Sequence, residues 1–396
     1  MVRAARRTLA ERLLPPDRLR VGPLREGAFT SEVRTRRAGV VLGLALGVTF
    51  TVCFVTGVLS HLIQNPPSWF NWPSRPAGLY RITEGLHVAT GIASIPLLLG
   101  KLWAVYPKLF RWPPVENLAH AIERISLLPL VGGSVFLLFS GVASITRWNP
   151  WLFSFPAAHY WAAWITIGAL IVHIGAKAGL VRPALAPSSS DAEDPATDGL
   201  SRRGFLWTIA GATGAITLFT VGQTVRPLEF AGLLAPRRPT EGPQGFPVNK
   251  TARSAGVTDL ANDPAYRLSI EGTVRTPLSL SLDDLRAMPQ HEATLPIACV
   301  DGWSANVRWR GVRVVDLLDM ADAPFDADAE VQSLQDQSKA YSSSLLNFDH
   351  AHDPDTLLAL ECNGERLDID HGYPLRLIGP NRPGVMQTKW VAKVVV

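Results

Sequence analysis

The sequence predicts a multidomain chain: an α-helical membrane bundle (four helices plus a fifth anchoring span) followed by an α+β, mostly β, outer domain. Three observations predict it. Apolar residues make up 47 % of the 396 positions but are unevenly placed. Residues 38–225 hold five nearly uncharged stretches that reach or approach the roughly 20 residues needed to cross a bilayer. Residues 226–396 instead hold short alternating runs, the pattern of half-buried strands.

The elements follow in order. Residues 1–37 form a basic arm with ten arginines against four acids. An apolar run follows at once, so the arm reads as the cytoplasmic flank of a membrane protein rather than a nucleic-acid surface. The spans are predicted at 38–63, 82–105, 118–145, 157–180 and 204–225, the first four making a membrane domain over 38–182. Inside flanks hold Lys101, Arg111, Lys177, Arg182, Arg202 and Arg203. The intervening outer loops, "QNPPSWFNWPSRPAGLYR" and "RWNPWLFSFP", carry few charges and several tryptophans, as interfacial loops do. The N-terminus therefore faces the cytoplasm and the last domain lies outside a bacterial cell membrane.

Residues 183–203 read as a cytoplasmic linker, rich in Pro, Ser and Asp, that ends in "SRRGFL". Arg202 and Arg203 ahead of Phe205 and Leu206 have the form of a twin-arginine export signal placed inside the chain. The plainer alternative is a pair of positive-inside residues for the span at 204–225. A connecting segment (226–261) then leads to the outer domain (262–396).

Within that domain "LDDLRAM" and "VVDLLDM" predict brief helices among strands. Three cysteines, Cys53, Cys299 and Cys362, are too few for a disulfide framework. On chemistry alone Cys299 is a buried core thiol, a partner for Cys362, or a soft thiolate ligand to a metal. Spacing does not choose among them.

"SIEGTVRTPLSLSLDDL", "IACVDGWS", "VRWRGVRVVDLL", "AYSSSLL" and "DTLLALECNGERLDIDHGYPLRLIGPNRPGVMQTKW" occur in order, and together they resemble the sulfite-oxidase-type molybdopterin domain. The resemblance implies a molybdenum held by a pterin dithiolate and by Cys299. It implies that His371 and Arg376, in "HGYPLR", and Lys389, in "TKW", contact the pterin and its phosphate, and that Tyr341 lines the metal pocket. It further implies a cofactor built in the cytoplasm, so the domain should fold before it crosses. A planar guanidinium and an ammonium suit a phosphate, and a phenol can donate to a metal-oxo group.

One departure bears on the substrate. Sulfite oxidases follow their cysteine with closely placed arginines, whereas Val300, Asp301, Gly302, Trp303 and Ser304 stand here. "CVDGWS" is more similar to the bacterial branch that includes a periplasmic methionine sulfoxide reductase. An acid beside the site repels sulfite, and a tryptophan shapes a less polar pocket. Arg308 and Arg310, downstream, are the remaining candidates for reaching that pocket.

Five histidines fall in or beside the spans: His61, His87, His120, His159 and His173. His159 and His173 are 14 positions apart, so they share a helix face about 21 Å apart along the axis. That spacing suits two stacked haems, and neutral imidazole is a natural axial ligand. The region resembles the four-helix, two-haem cytochrome b family. His87 and His159 are expected to clamp an outer haem b; His173, with His120 as the only substitute partner, is expected at an inner one. Arg124 is a candidate partner for a haem propionate, or else for Glu123 or Glu84.

These features predict a molybdopterin-dependent oxidoreductase in the bilayer that exchanges electrons with a quinone or other redox partner. Oxygen-atom transfer on a small substrate, with sulfoxide reduction favoured, is the expected reaction. Alternatives are sulfite-type oxidation in the reverse direction, a haem-only conduit with a non-catalytic outer domain, and a transporter or scaffold whose histidines only pack.

Overall fold

In the computed structural model of the protein, residues 21–25, 28, 29, 31, 33–110, 112–186 and 201–396 are described. Most of the basic arm (1–37) and residues 187–200 of the linker lie outside the described residues. Five long helices appear: α1 (Arg36–Gln64), α2 (Leu79–Val105), α3 (Leu118–Ile145), α4 (Phe155–Lys177) and α5 (Arg202–Val221). Each is long and apolar enough to cross a membrane. The start of α4 shows the local logic: Ser154 accepts from the Ala157 N–H, and Pro156 sits in the first turn, where its missing donor costs nothing.

The described chain divides into two compact units. The first takes the described residues up to Phe54, with Ala89–Ser144 and Trp148–Thr217; the second takes Val55–Val88, Ile145–Arg147 and Leu218–Val396. Inside the first, Leu42, Leu97, Ala104 and Phe205 form a small buried cluster. Leu44, Val48, Ile125, Leu128, Trp161, Ile165 and Ile171 stay exposed. A helical surface this apolar fits hydrocarbon as its solvent. The charged side chains are tied down: the Lys101 ammonium donates to the Gly39 carbonyl, and Lys177 pairs with Glu123 at 2.6 Å.

The second unit is built on two sheets. One runs β2 (Leu278–Ser281), β1 (Arg267–Glu271), β10 (Val391–Val395), β5 (Ala329–Ser333) and β6 (Ser343–Leu346). Only the β1–β10 pair in it is parallel, with Ser269 opposite Lys393. The other runs β3 (His291–Ala298), β4 (Ser304–Arg313), β7 (Leu357–Cys362) and β8 (Glu365–Arg366), and β9 (Arg376–Ile378) adds to β7. The brief helices expected from sequence are present as α6 (Leu282–Ala287), closed by a Ser281–Asp284 capping box, and α7 (Val314–Met320).

Two apolar cores result. Leu268, Ile270, Val331, Leu358, Leu377 and Val394, with Val314 and Leu317 of α7, form the larger one. Phe246, Leu295, Ile297, Trp303, Val307 and Trp309 form the second, and Cys299 lies in it. The loop between α1 and α2 belongs to this unit and is stitched to the sheets. Trp72 donates to the Asn381 carbonyl at 2.8 Å, and the Tyr80 N–H donates to the Asn381 side chain at 2.7 Å. Arg75 forks onto Asp353 at 2.8 and 2.9 Å.

Candidate active site

The site begins where β3 ends. Ala293, Leu295 and Ile297 alternate inward along the strand, carrying the chain to Cys299 at 5 % exposure. The chain then folds on itself: the Gly302 N–H donates to the Cys299 carbonyl and the Cys299 N–H to the Trp303 carbonyl, both at 2.9 Å. That tight turn feeds β4 and fixes the direction of the thiol.

Asn249 organises the turn. Its Nδ2 donates to Cys299 Sγ at 2.7 Å and to Asp301 Oδ2 at 2.7 Å, and its Oδ1 accepts from Trp303 Nε1 at 3.3 Å. Burial, followed by the Asp301 charge, pushes the Cys299 thiol well above its usual range. Burial also raises the Asp301 carboxyl. The thiolate form therefore needs a cation at Sγ, which is what a metal supplies.

His371, Arg376 and Lys389 come together in the same unit. The His371 ring stacks on Phe246 with centroids 3.7 Å apart, and its Nδ1 lies 3.2 Å from Gln244 Oε1. Burial, then the Arg376 and Lys389 charges, lowers His371 to about 3. Arg376 is buried, donates to the His371 carbonyl at 2.9 Å and stands 5.2 Å over the Trp309 ring. Burial lowers it to about 10. Lys389 donates to the carbonyls of Lys250 and Asp370, each at 2.7 Å, and burial holds it well below its usual value.

These residues fit a polar, anionic group. His371 Nε2 and Arg376 Nε are buried without a hydrogen-bond partner, an arrangement that costs free energy unless a ligand completes it. Neither Arg376 nor Lys389 forms an ion pair among the described residues, so a phosphate would relieve both. Tyr341 is half exposed in a left-handed backbone conformation (φ 64°), and burial, then the Asp301 and Cys299 charges, raises its phenol.

Several sequence expectations need adjustment. Cys299 and Cys362 are separate thiols, and Cys362 donates to Gln244 Oε1 at 2.9 Å. Trp303 is packed into the core at 3 % exposure, with its Nε1 on Asn249. Arg310 is taken up by Glu361 at 2.9 Å, and Arg308 is exposed on the outward register of β4. Neither stands in for an oxyanion-binding arginine.

The membrane histidines differ in setting. His159 Nδ1 lies 2.8 Å from the Ser140 hydroxyl, and His87 Nδ1 lies 3.4 Å from the Thr56 hydroxyl. A hydroxyl at Nδ1 is the kind of contact that orients a ligating imidazole. His173 Nδ1 is buried without a partner. Taken singly, each of those settings suits a ligating imidazole. That of His120 does not: the Glu116 N–H faces Nδ1 at 3.2 Å and Arg124 faces Nε2 at 3.3 Å. Arg124 also donates to the Lys108 and Leu109 carbonyls, at 3.1 and 3.2 Å. Glu123 pairs with Lys177, and Glu84 accepts from Ser60 at 3.2 Å.

Sequence reasoning missed Gln244, Phe246, Asn249 and Lys250. They stand in "QGFPVNK", inside what reads as a connecting segment, where no periodicity marks them. The one available signal was an aromatic–proline pair followed by an amide and a cation.

Comparison with known proteins bears on these observations. The family model described as an oxidoreductase molybdopterin binding domain matches residues 255–396. An uncharacterized oxidoreductase, YuiH, of Bacillus subtilis is 32 % identical over 148 residues, covering 37 % of this chain and 71 % of the relative. The mitochondrial sulfite oxidase of Drosophila melanogaster is 33 % identical over 160 residues, 34 % of this chain and 28 % of that one. A protein of Azospira oryzae named for a protein-methionine-sulfoxide reductase subunit, YedZ1, is 30 % identical over 132 residues, 33 % of this chain and 49 % of that one. The chain thus spans under a third of the sulfite oxidase and about half of the YedZ1 protein.

Proposed function

This chain belongs to the family of oxidoreductases with a molybdopterin-binding domain, and on that premise we propose that it is a membrane-anchored oxygen-atom transferase. Its substrate is a small sulfoxide-type molecule. A bound molybdenum cofactor supplies the two-electron oxygen exchange. The protein supplies the rest. Cys299 offers the single thiolate, aimed by Asn249 and by the closed turn to Trp303. His371, Arg376 and Lys389 hold the pterin and its phosphate through their unpartnered or cationic atoms. Tyr341, on the Cys299 side, presents a phenol that stays protonated and can donate to oxygen.

In the membrane region His159 and His173, and separately His87, are the imidazoles that would hold haem b iron. Haem held there would supply one-electron exchange between a quinone and the outer domain, which faces away from the cytoplasm. Sulfoxide is favoured over sulfite because Asp301 stands beside the thiol while Arg308 and Arg310 are directed elsewhere.

The observation that carries the reading is a buried thiol oriented by an amide, with orphaned polar atoms and uncompensated cations in the same unit. The test is metal, pterin and haem analysis of the purified chain, with a screen of sulfoxides, N-oxides and sulfite. Molybdenum is expected near one per chain, and Cys299→Ser should lose turnover by several orders of magnitude while the helices stay folded. A Cys299→Ser chain that turns over like the parent would remove the proposal.

A further inference from the structure

We propose that the chain just beyond α5 and the outer part of α2 form a clamp that sets the geometry of the Cys299 turn, with Thr224 as its positioning residue. The proposal rests on the reading of Cys299 as the molybdenum ligand. Thr224, Gln223 and Val88 all lie outside the stretch that matches the family model, residues 255–396.

Thr224 is buried between two glycines. Its hydroxyl donates to the Gly302 carbonyl, and its methyl fills the place of a side chain on Gly85, where a Cβ would fall 2.8 Å from Thr224 Cγ2. One residue back, the Gln223 carbonyl accepts from the Ser304 N–H at 2.9 Å. Gly302 itself adopts φ +88°, and a Cβ on it would fall 2.8 Å from Val88 Cγ2 and 2.9 Å from Gln223 Nε2. Both constraints call for glycine there. The clamp thus holds residues 302 and 304 from three sides, through two hydrogen bonds and one packed valine.

The held turn has little freedom to absorb a displacement. Gly302 donates to the Cys299 carbonyl, and Cys299 donates to the Trp303 carbonyl. Tilting the Gly302 peptide therefore moves the Cys299 backbone and, with it, the direction of Sγ. With molybdenum held at Sγ, the clamp would tune the metal as surrounding contacts tune other metal sites. A second feature marks the spot: Gln223 is fully buried, yet its side-chain N and O, and the Ser304 hydroxyl, have no partner among the described residues. Retaining such groups at the turn is costly in a merely space-filling contact.

The test uses the full-length holoprotein. Thr224→Val keeps the methyl against Gly85 and removes only the hydroxyl; Thr224→Ser keeps the hydroxyl. Thr224→Val should retain molybdenum and its thermal midpoint while shifting the Mo(V) electron paramagnetic resonance signal and the thiolate-to-molybdenum absorption. Thr224→Ser should restore the parent spectra. Val88→Ala, which loosens the packing on Gly302, should shift the same signals and decides the matter if Thr224→Val fails to fold. Spectra of Thr224→Val and Val88→Ala that superimpose on the parent, at full molybdenum content, overturn the clamp. A parent chain without molybdenum overturns the reading beneath it, and metal analysis separates the two failures before any variant is compared.

Discussion

His350 is a buried imidazole whose pKa falls to about 3, because burial and then the Arg382 guanidinium oppose its protonated form. His371 falls to about 3 for the same kinds of reason. The unfolded chain binds protons at both residues near the ordinary histidine value of about 6.5, whereas the native state refuses them. Stability from each is therefore complete above about pH 6.5 and is lost as pH falls from there toward 3, at about 1.4 kcal/mol per pH unit per residue. His350→Gln in the cofactor-free protein should flatten the stability–pH slope between pH 6 and 4 by roughly that amount. Denaturant titrations of the detergent-solubilised chain at several pH values measure it. Coincident slopes for parent and variant would show that His350 is protonated in the native state.

The loop between α1 and α2 shows what an element adds. Burial pushes the Asp353 carboxyl up, but the Arg75 fork and the Asp355 N–H more than offset it and leave it below the usual range. Arg75→Ala would strand a carboxylate at 4 % side-chain exposure without its partner. The expected cost is roughly 1–3 kcal/mol, the range for a buried polar group left unsatisfied. Arg75→Lys should recover only part of it, because an ammonium cannot reproduce the bidentate contact. A thermal midpoint unchanged in Arg75→Ala would mean that water replaces the pair at no cost. None of this was legible in the sequence, since Arg75 and Asp353 are 278 positions apart. The five long apolar helices and the brief ones were legible, because hydropathy and period are local properties of α1 to α5, α6 and α7. Cys299 was singled out only through the order of distant motifs. Asn249, which aims its sulfur, was not, because an asparagine acting across 50 positions leaves no local pattern.

At the scale of the molecule, the reading requires the second unit to be assembled before it reaches its place. Arg376 is buried and Lys389 half-buried, and the stretch just past α5 closes on the Cys299 turn through Thr224 and Gln223. A cofactor held by buried side chains does not enter a domain threaded across the membrane as an unfolded strand. At the start of α5, Arg202 and Arg203 open the helix, and the Ser201 hydroxyl accepts from the Gly204 N–H at 3.0 Å. Replacing both arginines with lysines keeps the charge, so a purely positive-inside role predicts no change. An export signal for folded cargo, which discriminates arginine from lysine, predicts that the outer domain is stranded in the cytoplasm while α1 to α4 still insert. Protease added to intact spheroplasts should then digest the outer domain of the parent and spare that of Arg202→Lys/Arg203→Lys. If both are digested alike, α5 is an ordinary anchor, and the domain must acquire its cofactor by a route other than folding first.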